Sequence, residues 1–148
     1  MNSSLLENVT DRNTMDVKSL LENGSEVNAK DNSNETALIR ASMNGHTDIV
    51  KMLLDRGTDV NAKNNYGNTA LIRASMNGHT DTVALLLEKG ADVNVTNNYG
   101  WTSLINTSRW GHKKVVLLIK NHIRRTELMK QILKTCLLYT SPSPRDRG

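Results

Sequence analysis

The sequence contains no phenylalanine, only 3% aromatic residues and a single cysteine, Cys136. A core of large aromatic side chains is excluded, so Leu, Ile, Val, Met and Ala must fill the interior. One cysteine cannot form an internal disulfide, which excludes a disulfide-stapled scaffold and fits a reducing, intracellular setting. No apolar run reaches the length of a membrane span, and the first residues contain no apolar signal region. We therefore expect a cytoplasmic protein without a membrane span.

The net charge is small. The chain of 148 residues carries 19 basic and 15 acidic side chains, a formal net charge of +4. An excess of this size does not indicate a specific nucleic-acid partner. The length suffices for one ordinary domain or for a short array of repeats.

An internal repeat is the strongest signal in the sequence. Residues 36–48 return letter for letter as residues 69–81, which is 33 positions later, and a looser copy covers residues 102–114. A period of this size indicates stacked supersecondary units, each of which buries its apolar face only against its neighbours. Such a stack offers a long side surface, so the pattern favours binding over catalysis.

Each unit predicts two helices. Thr36 is positioned to N-cap the first helix, and Gly45 follows its end. We expect Thr47 to cap the second helix, with Asp48 in its first turn, where the helix dipole favours a negative charge. Gly57 ends the second helix, and a polar turn leads into the next unit. The predicted apolar positions of this unit are Leu38, Ile39, Ala41, Ser42, Ile49, Val50, Met52, Leu53 and Leu54.

These motifs resemble the ankyrin repeat. The resemblance is carried by the Thr-x-Leu helix start, by Gly-His at 45–46 and 78–79, and by Gly-Ala-Asp-Val-Asn at 90–94. It implies an all-α, ankyrin-repeat solenoid of stacked helix-turn-helix units with short hairpin loops. It also implies that the protein binds another macromolecule through the hairpin tips and the concave helix face.

The sequence departs from the family pattern in its two inner units and at both ends of the array. The family's Thr-Pro-Leu-His reads Thr-Ala-Leu-Ile at 36–39 and 69–72, so we expect a weaker start of each first helix. In the first unit, Arg12 stands where later units have glycine, and Ser19 stands where Met52 lies. At the other end, Ile123 replaces the stop glycine, so the helix either runs on or breaks near Asn121.

The domain prediction places an ankyrin repeat domain at 1–135. Its units are about 1–30, 31–63, 64–96 and 97–123, and a helix at 124–135 forms either a cap or part of a further repeat. Residues 136–146 resemble the conceptual translation of a sequencing adapter. We therefore interpret 136–148 as a non-native tail and expect the natural protein to be longer.

The recurring histidines are the main candidates for chemistry. His46, His79 and His112 repeat at the unit spacing, which sets them in a row instead of converging on one metal ion. In the family this histidine joins neighbouring loops by hydrogen bonds, and Asp59 and Asp92 correspond to acids that brace the hairpins. The sequence contains no phosphate-binding loop, no Cys-x-x-Cys pair and no His-Glu-x-x-His motif. We expect no catalytic residue, no cofactor, no metal and no small-molecule substrate.

The candidate binding residues are repeat-equivalent positions at the turn tips and the ends of the first helices. All aromatic residues outside the suspected tail fall within this set, and Tyr, Trp and Arg are the residues that dominate binding hot spots. Arg40 and Arg73 are expected to line the concave helix face and to make it mildly positive. The predicted partner-binding residues are Glu35, Met43, Asn44, Tyr66, Asn68, Met76, Asn77, Tyr99, Trp101, Arg109 and Trp110.

The predicted function is therefore a monomeric, non-catalytic scaffold that binds another protein. Two alternatives remain open at this point. The chain is the recognition arm of a longer enzyme or effector, or it binds an anionic membrane or nucleic-acid surface weakly through the basic helix at 124–134.

Overall fold

A computed structural model describes residues 2–140, with side chains from Leu5 to Leu138. This part of the chain is all-helical and contains no strand. Its helices, in chain order, are α1 (Asn2–Thr10), α2 (Thr14–Glu22), α3 (Ala37–Met43), α4 (Thr47–Asp55), α5 (Ala70–Met76), α6 (Thr80–Glu88), α7 (Ser103–Arg109) and α8 (Lys113–Thr140).

The helices form two layers. The first helices of the units, α1, α3, α5 and α7, pack on one another in chain order, and the second helices, α2, α4, α6 and α8, do the same. Each first helix also packs against the second helix of its own unit. This arrangement confirms the predicted all-α stack of helical hairpins.

The core is aliphatic, as the composition predicts. Its largest fully buried side chains include Leu38, Ile39, Leu53, Leu71 and Ile72, and no aromatic residue is among the buried side chains of residues 5–138. Each hairpin is too small to enclose its own apolar face, so burial comes from the hairpins on either side. Of the stripe predicted on α4, Ile49, Val50 and Leu53 are buried, whereas Met52 and Leu54 are only half-buried.

Threonine caps every first helix from α3 onwards. The Oγ1 atoms of Thr36, Thr69 and Thr102 accept hydrogen bonds from the backbone N–H groups three residues later, at 3.1, 3.2 and 3.3 Å. A hydroxyl in this position satisfies one of the free N–H groups of the first turn. Each of these helices therefore has a side-chain cap, although the proline and histidine of the family pattern are absent.

The prediction that Thr47 and Thr80 cap the second helices is wrong. His46 and His79 occupy the N-cap positions without a side-chain cap, and the two threonines are the first helical residues. Thr47 instead forms a 2.8 Å hydrogen bond with Thr82 Oγ1 of the next unit. Its hydroxyl links neighbouring hairpins, which the sequence of one unit does not reveal.

The histidines join each unit to the one before it. His79 Nε2 donates to the Met43 carbonyl at 2.9 Å, and His112 Nε2 donates to the Met76 carbonyl at 2.8 Å. His46 makes the equivalent bond from Nδ1 to the Val9 carbonyl at 3.1 Å. The predicted structural role of the histidines is confirmed.

The chain ends of the stack differ from the inner units. Arg12 adopts a positive φ of 57° at the place where later units have glycine, and its guanidinium lies 3.3 Å from Asp48. Helix α8 runs without a break to Thr140, so 124–135 continues the second helix of the fourth unit and is not a separate element. The suspected tail begins inside α8, and residues 141–148 lie outside the described part of the chain.

Gly45 provides a test of how closely the hairpins approach. A Cβ added there would lie 2.5 Å from His79 Nδ1, whereas a Cβ on Gly57, which has a similar positive φ, would meet nothing within 4 Å. Both alanine variants incur the left-handed backbone cost of about 1 kcal/mol. We expect Gly45→Ala to lower the free energy of unfolding by at least about 1 kcal/mol more than Gly57→Ala, because His79 must move. Urea unfolding measures both, and equal losses would contradict the close packing.

Candidate protein-binding surface

The hairpin tips share one turn design. Asn64 Oδ1 accepts the backbone N–H groups of Tyr66 and Asn68 at 2.9 and 3.1 Å. Asn97 Oδ1 accepts those of Tyr99 and Trp101 at 3.0 and 3.1 Å. Side chains that bond to the backbone a few residues ahead hold tight turns of this kind. The tip residues between them can vary without a change of backbone, so the turn acts as a frame for variable side chains.

Neighbouring tips are joined to one another. Asn65 N–H donates to the Ser33 carbonyl and Asn98 N–H donates to the Tyr66 carbonyl, both at 2.9 Å. Asn98 Nδ2 also donates to the Asn65 carbonyl at 2.9 Å. These bonds lock three tips into one row, so the surface is formed before a partner arrives. We call the tips (31–35, 64–68 and 97–101), together with the C-terminal ends of α3, α5 and α7, the tip face.

Two predicted binding residues form hydrogen bonds that hold neighbouring hairpin tips together. Asn68 is only 6% exposed, and its Oδ1 accepts a hydrogen bond from Asn97 Nδ2 at 3.1 Å. Glu35 is half-buried, and its Oε2 accepts from Asn64 Nδ2 at 3.0 Å. Asn68 therefore offers little surface for a partner contact, and Glu35 offers only part of its side chain. The buried amides of Asn64 and Asn97 were missed by the sequence analysis, although their recurrence at equivalent positions was a signal for a scaffold role.

The ends of the first helices contribute further predicted residues. Asn44 and Asn77 are exposed at the C-caps of α3 and α5, and Asn77 Nδ2 donates to the Met43 carbonyl at 2.8 Å. Met43 and Met76 are half-buried, with carbonyls engaged by the histidines of the next unit. These residues lie on the tip face, but the Asn77 amide and the carbonyls of Met43 and Met76 also form hydrogen bonds between units.

The structure brings Tyr99, Trp101 and Arg109 together at the last tip. The rings of Tyr99 and Trp101 lie 5.6 Å apart, and the Arg109 guanidinium lies 4.7 Å from the Trp101 ring centroid. A guanidinium over an indole is attracted to its π face, which orients both side chains. Tyr99 is 72% exposed and Trp101 is half-buried. Trp101 takes the place of Asn68 in the third tip, but no following asparagine covers it.

Two more aromatic side chains flank this cluster. Trp110 is the C-cap of α7, directly after Arg109, and is 59% exposed. Tyr66 is 62% exposed on the preceding tip. All four predicted aromatic positions thus lie outside the core, and exposed large side chains of this kind mark contact surfaces.

Of the two arginines in the repeated first helices, Arg40 contributes less positive charge than expected, whereas Arg73 has no ion pair among the described residues. Arg40 donates to Asp31 Oδ2 at 2.6 Å in a half-buried ion pair, which cancels its charge. Arg73 extends its guanidinium onto the Sδ atom of Met43 instead, because Asn64 stands where Asp31 stands in the earlier unit. Partial burial raises the pKa of Asp31, but the hydrogen bond from Arg40 and those from the N–H groups of Glu35 and Ser33 hold that pKa below its ordinary value.

Residues 2–140 contain no group of three His, Cys, Asp or Glu side chains that could hold a metal ion. One ring nitrogen of each recurring histidine is bonded to a backbone carbonyl, and the carboxylates of Asp59 and Asp92 accept N–H groups of their own turns. None of the helices within the same range is both long and apolar enough to cross a membrane.

Comparison with known proteins identifies the family. The family model for ankyrin repeats (3 copies) matches residues 7–97 and 64–127, which together exceed half of the chain. The chain therefore belongs to the ankyrin repeat family. Members of this family generally serve as protein–protein interaction modules and are typically non-catalytic. No curated protein matches the chain at a significant level.

Asp31→Asn tests the ion pair behind the first tip. The amide keeps the turn, as Asn64 and Asn97 show in equivalent places, but it removes the charge opposite Arg40. The pKa of Asp31 is depressed on folding, so the contribution of the carboxylate is complete above its ordinary pKa of about 3.9 and is lost as pH falls through the lower folded value.

We expect the variant to be less stable than the wild type by about 1 kcal/mol or less at neutral pH. The difference should begin to shrink as pH falls below about 4 and should approach zero only below the depressed folded pKa of Asp31, because the wild-type carboxyl is then also uncharged. Urea unfolding across this pH range measures it. A difference of constant size at every pH would contradict the role assigned to the charge.

Proposed function

We propose that this chain is a non-catalytic scaffold that binds a partner protein through the tip face, with the energetic centre at Tyr99, Trp101, Arg109 and Trp110. The intracellular location and the monomeric state expected from the sequence are part of this proposal. The single supporting observation is the cluster in which Arg109 lies over Trp101 beside Tyr99.

The chemistry of this cluster suits an interface. Tyr and Trp offer large rigid surfaces at a low cost in side-chain entropy, and each carries one polar group for orientation. Arg109 and Trp101 are already placed against each other, so little ordering is lost when a partner binds. The surface combines indole faces with one cation, and it therefore fits an apolar segment that carries a carboxylate.

The earlier units supply a contrasting surface. The tips at 31–35 and 64–68 present mainly short polar side chains, apart from Tyr66, and the repeated residues 36–48 and 69–81 are identical. The residues that the second and third units share serve the general scaffold. The third tip and the end of α7 differ from their counterparts in those two units. We place specificity in the residues that differ.

The test compares Trp101→Ala and Trp110→Ala with Met15→Ala. Met15 is 78% exposed on α2, in the other helix layer, so its truncation removes an exposed apolar side chain away from the tip face. A partner is first captured and identified, and its affinity for each purified variant is then measured by calorimetry. Each tryptophan variant should weaken binding by about 2 kcal/mol, or roughly 30-fold, because hot-spot aromatics carry most of the energy.

Met15→Ala should bind like the wild type. Circular dichroism checks that all variants retain their helices. If the identified partner binds both tryptophan variants with wild-type affinity, the tip face is not its binding site.

A further inference from the structure

Helix α8 extends well past the rest of its layer. Its residues before the suspected tail, 113–135, already span about 34 Å, whereas α6, with nine residues, is about 14 Å long. Only the first half of α8 has a neighbour in the layer of second helices. Beyond that point the apolar side chains of Leu128, Met129, Ile132 and Leu133 are 44–58% exposed. A helix with such a stripe normally buries it against another element.

A groove of about 660 Å³ runs between α6 and α8. Ala84 and Leu87 of α6 and Leu118 of α8 line it where the two helices lie side by side, and Met129 and Leu133 line the part that extends beyond α6. The lining residues of α8 recur every three or four positions, so they share one face of the helix. From Leu118 to Leu133 the groove is about 22 Å long, which matches a helix of about 15 residues.

Charge is distributed unevenly between this helix and the rest of the chain. Residues 113–140 carry seven basic side chains and one acidic side chain, a net charge of +6, whereas residues 1–112 carry ten basic and thirteen acidic, a net charge of −3. Arg125 and Lys130 line the groove, and Glu88 is the only acid among its lining residues. Lys130 pairs with Glu127 at 3.2 Å, but none of the ion pairs within residues 2–140 involves Arg125.

We propose that the groove between α6 and α8 is a second binding site and that it takes an acidic, amphipathic α-helix of a partner protein. The apolar face of that helix covers Ala84, Met129 and Leu133, and its carboxylates face Arg125 and Lys130. Helix-in-groove binding with apolar anchors every three or four residues follows the same packing as two helices in a core. This site is separate from the tip face.

Other occupants fit the groove less well. The α8 of a second copy carries the same charge of +6, so it is repelled. A flat lipid surface contacts the ridge of α8 but does not enter a groove between two helices. A nucleic acid finds no Phe, Tyr or Trp for base stacking among the lining residues, which offer only the imidazole of His122. A narrow, rod-shaped and acidic ligand satisfies the shape, the apolar lining and the charge together.

The experiment uses the full chain and a fluorescent synthetic peptide of about 15 residues. The peptide has leucine on one helical face and glutamate on the other, and a peptide of the same composition in scrambled order is its control. Fluorescence anisotropy at about 0.15 M salt measures the affinity, because long-range attraction is then largely screened. Vesicles of phosphatidylcholine and phosphatidylserine, and a single-stranded oligonucleotide, are titrated in parallel.

Two neighbouring arginines provide the decisive comparison. Arg124 and Arg125 are both exposed and undergo the same charge change to glutamate, but only Arg125 lines the groove. We expect Arg125→Glu to weaken peptide binding about 10-fold and Arg124→Glu to weaken it less than about 3-fold. Met129→Ala with Leu133→Ala should also weaken binding about 10-fold, whereas Leu117→Ala, which is exposed but outside this groove, should not.

Each other outcome overturns the proposal. Absence of binding by the amphipathic peptide, equal binding of the scrambled peptide, or equal loss with Arg124→Glu and Arg125→Glu would leave only general charge attraction. Recruitment to the anionic vesicles or the oligonucleotide without peptide binding would assign α8 to a lipid or nucleic-acid surface. Trp101→Ala should leave peptide binding unchanged, so failure of this proposal is distinguishable from failure of the tip-face proposal.

Discussion

The structure depends on contact between one hairpin and the next. Ile72 is fully buried, whereas Ile105, the equivalent residue one unit later, is 45% exposed. The two residues are identical and follow the same threonine cap, so only the presence of a following hairpin distinguishes them. The bonds from the histidines to the preceding unit and the close approach at Gly45 belong to the same contact. Stability in such an array is the sum of these interfaces, because no unit has a core of its own.

The same dependence on neighbours shapes the candidate binding surfaces. In the tip row, each asparagine covers the residue that ends the preceding tip, and the row stops at Trp101. The aromatic cluster lies where this cover ends and is held by Arg109 over the indole ring. In the layer of second helices, α8 is longer than its neighbour α6. Its apolar stripe is therefore exposed, and basic side chains lie beside it. Both proposed sites therefore lie at the last of the described units, where the described residues leave these side chains uncovered.

Periodic and local features were predictable from the sequence. The repeat period, the caps at Thr36, Thr69 and Thr102, and the exposure of the aromatic residues needed only local chemistry and the family resemblance. The roles of residues that bond to another unit were not predictable from the sequence. Thr47 was expected to cap its own helix, but it bonds to Thr82, and Asn68 was expected at a partner but lies under Asn97. In both cases the bonding partner lies about 30 residues away, and the sequence does not show which side chains meet there.

The sequence by itself determined the helical hairpins, their order and the aliphatic core, because spacing of apolar residues, caps and glycines acts within one unit. Only the tertiary structure decided what identical units do differently. Arg40 and Arg73 stand in the same 13-letter repeat, residues 36–48 and 69–81, yet one pairs with Asp31 and the other lies on Met43. The residues opposite them differ, and the packing of neighbouring units alone brings those residues within reach.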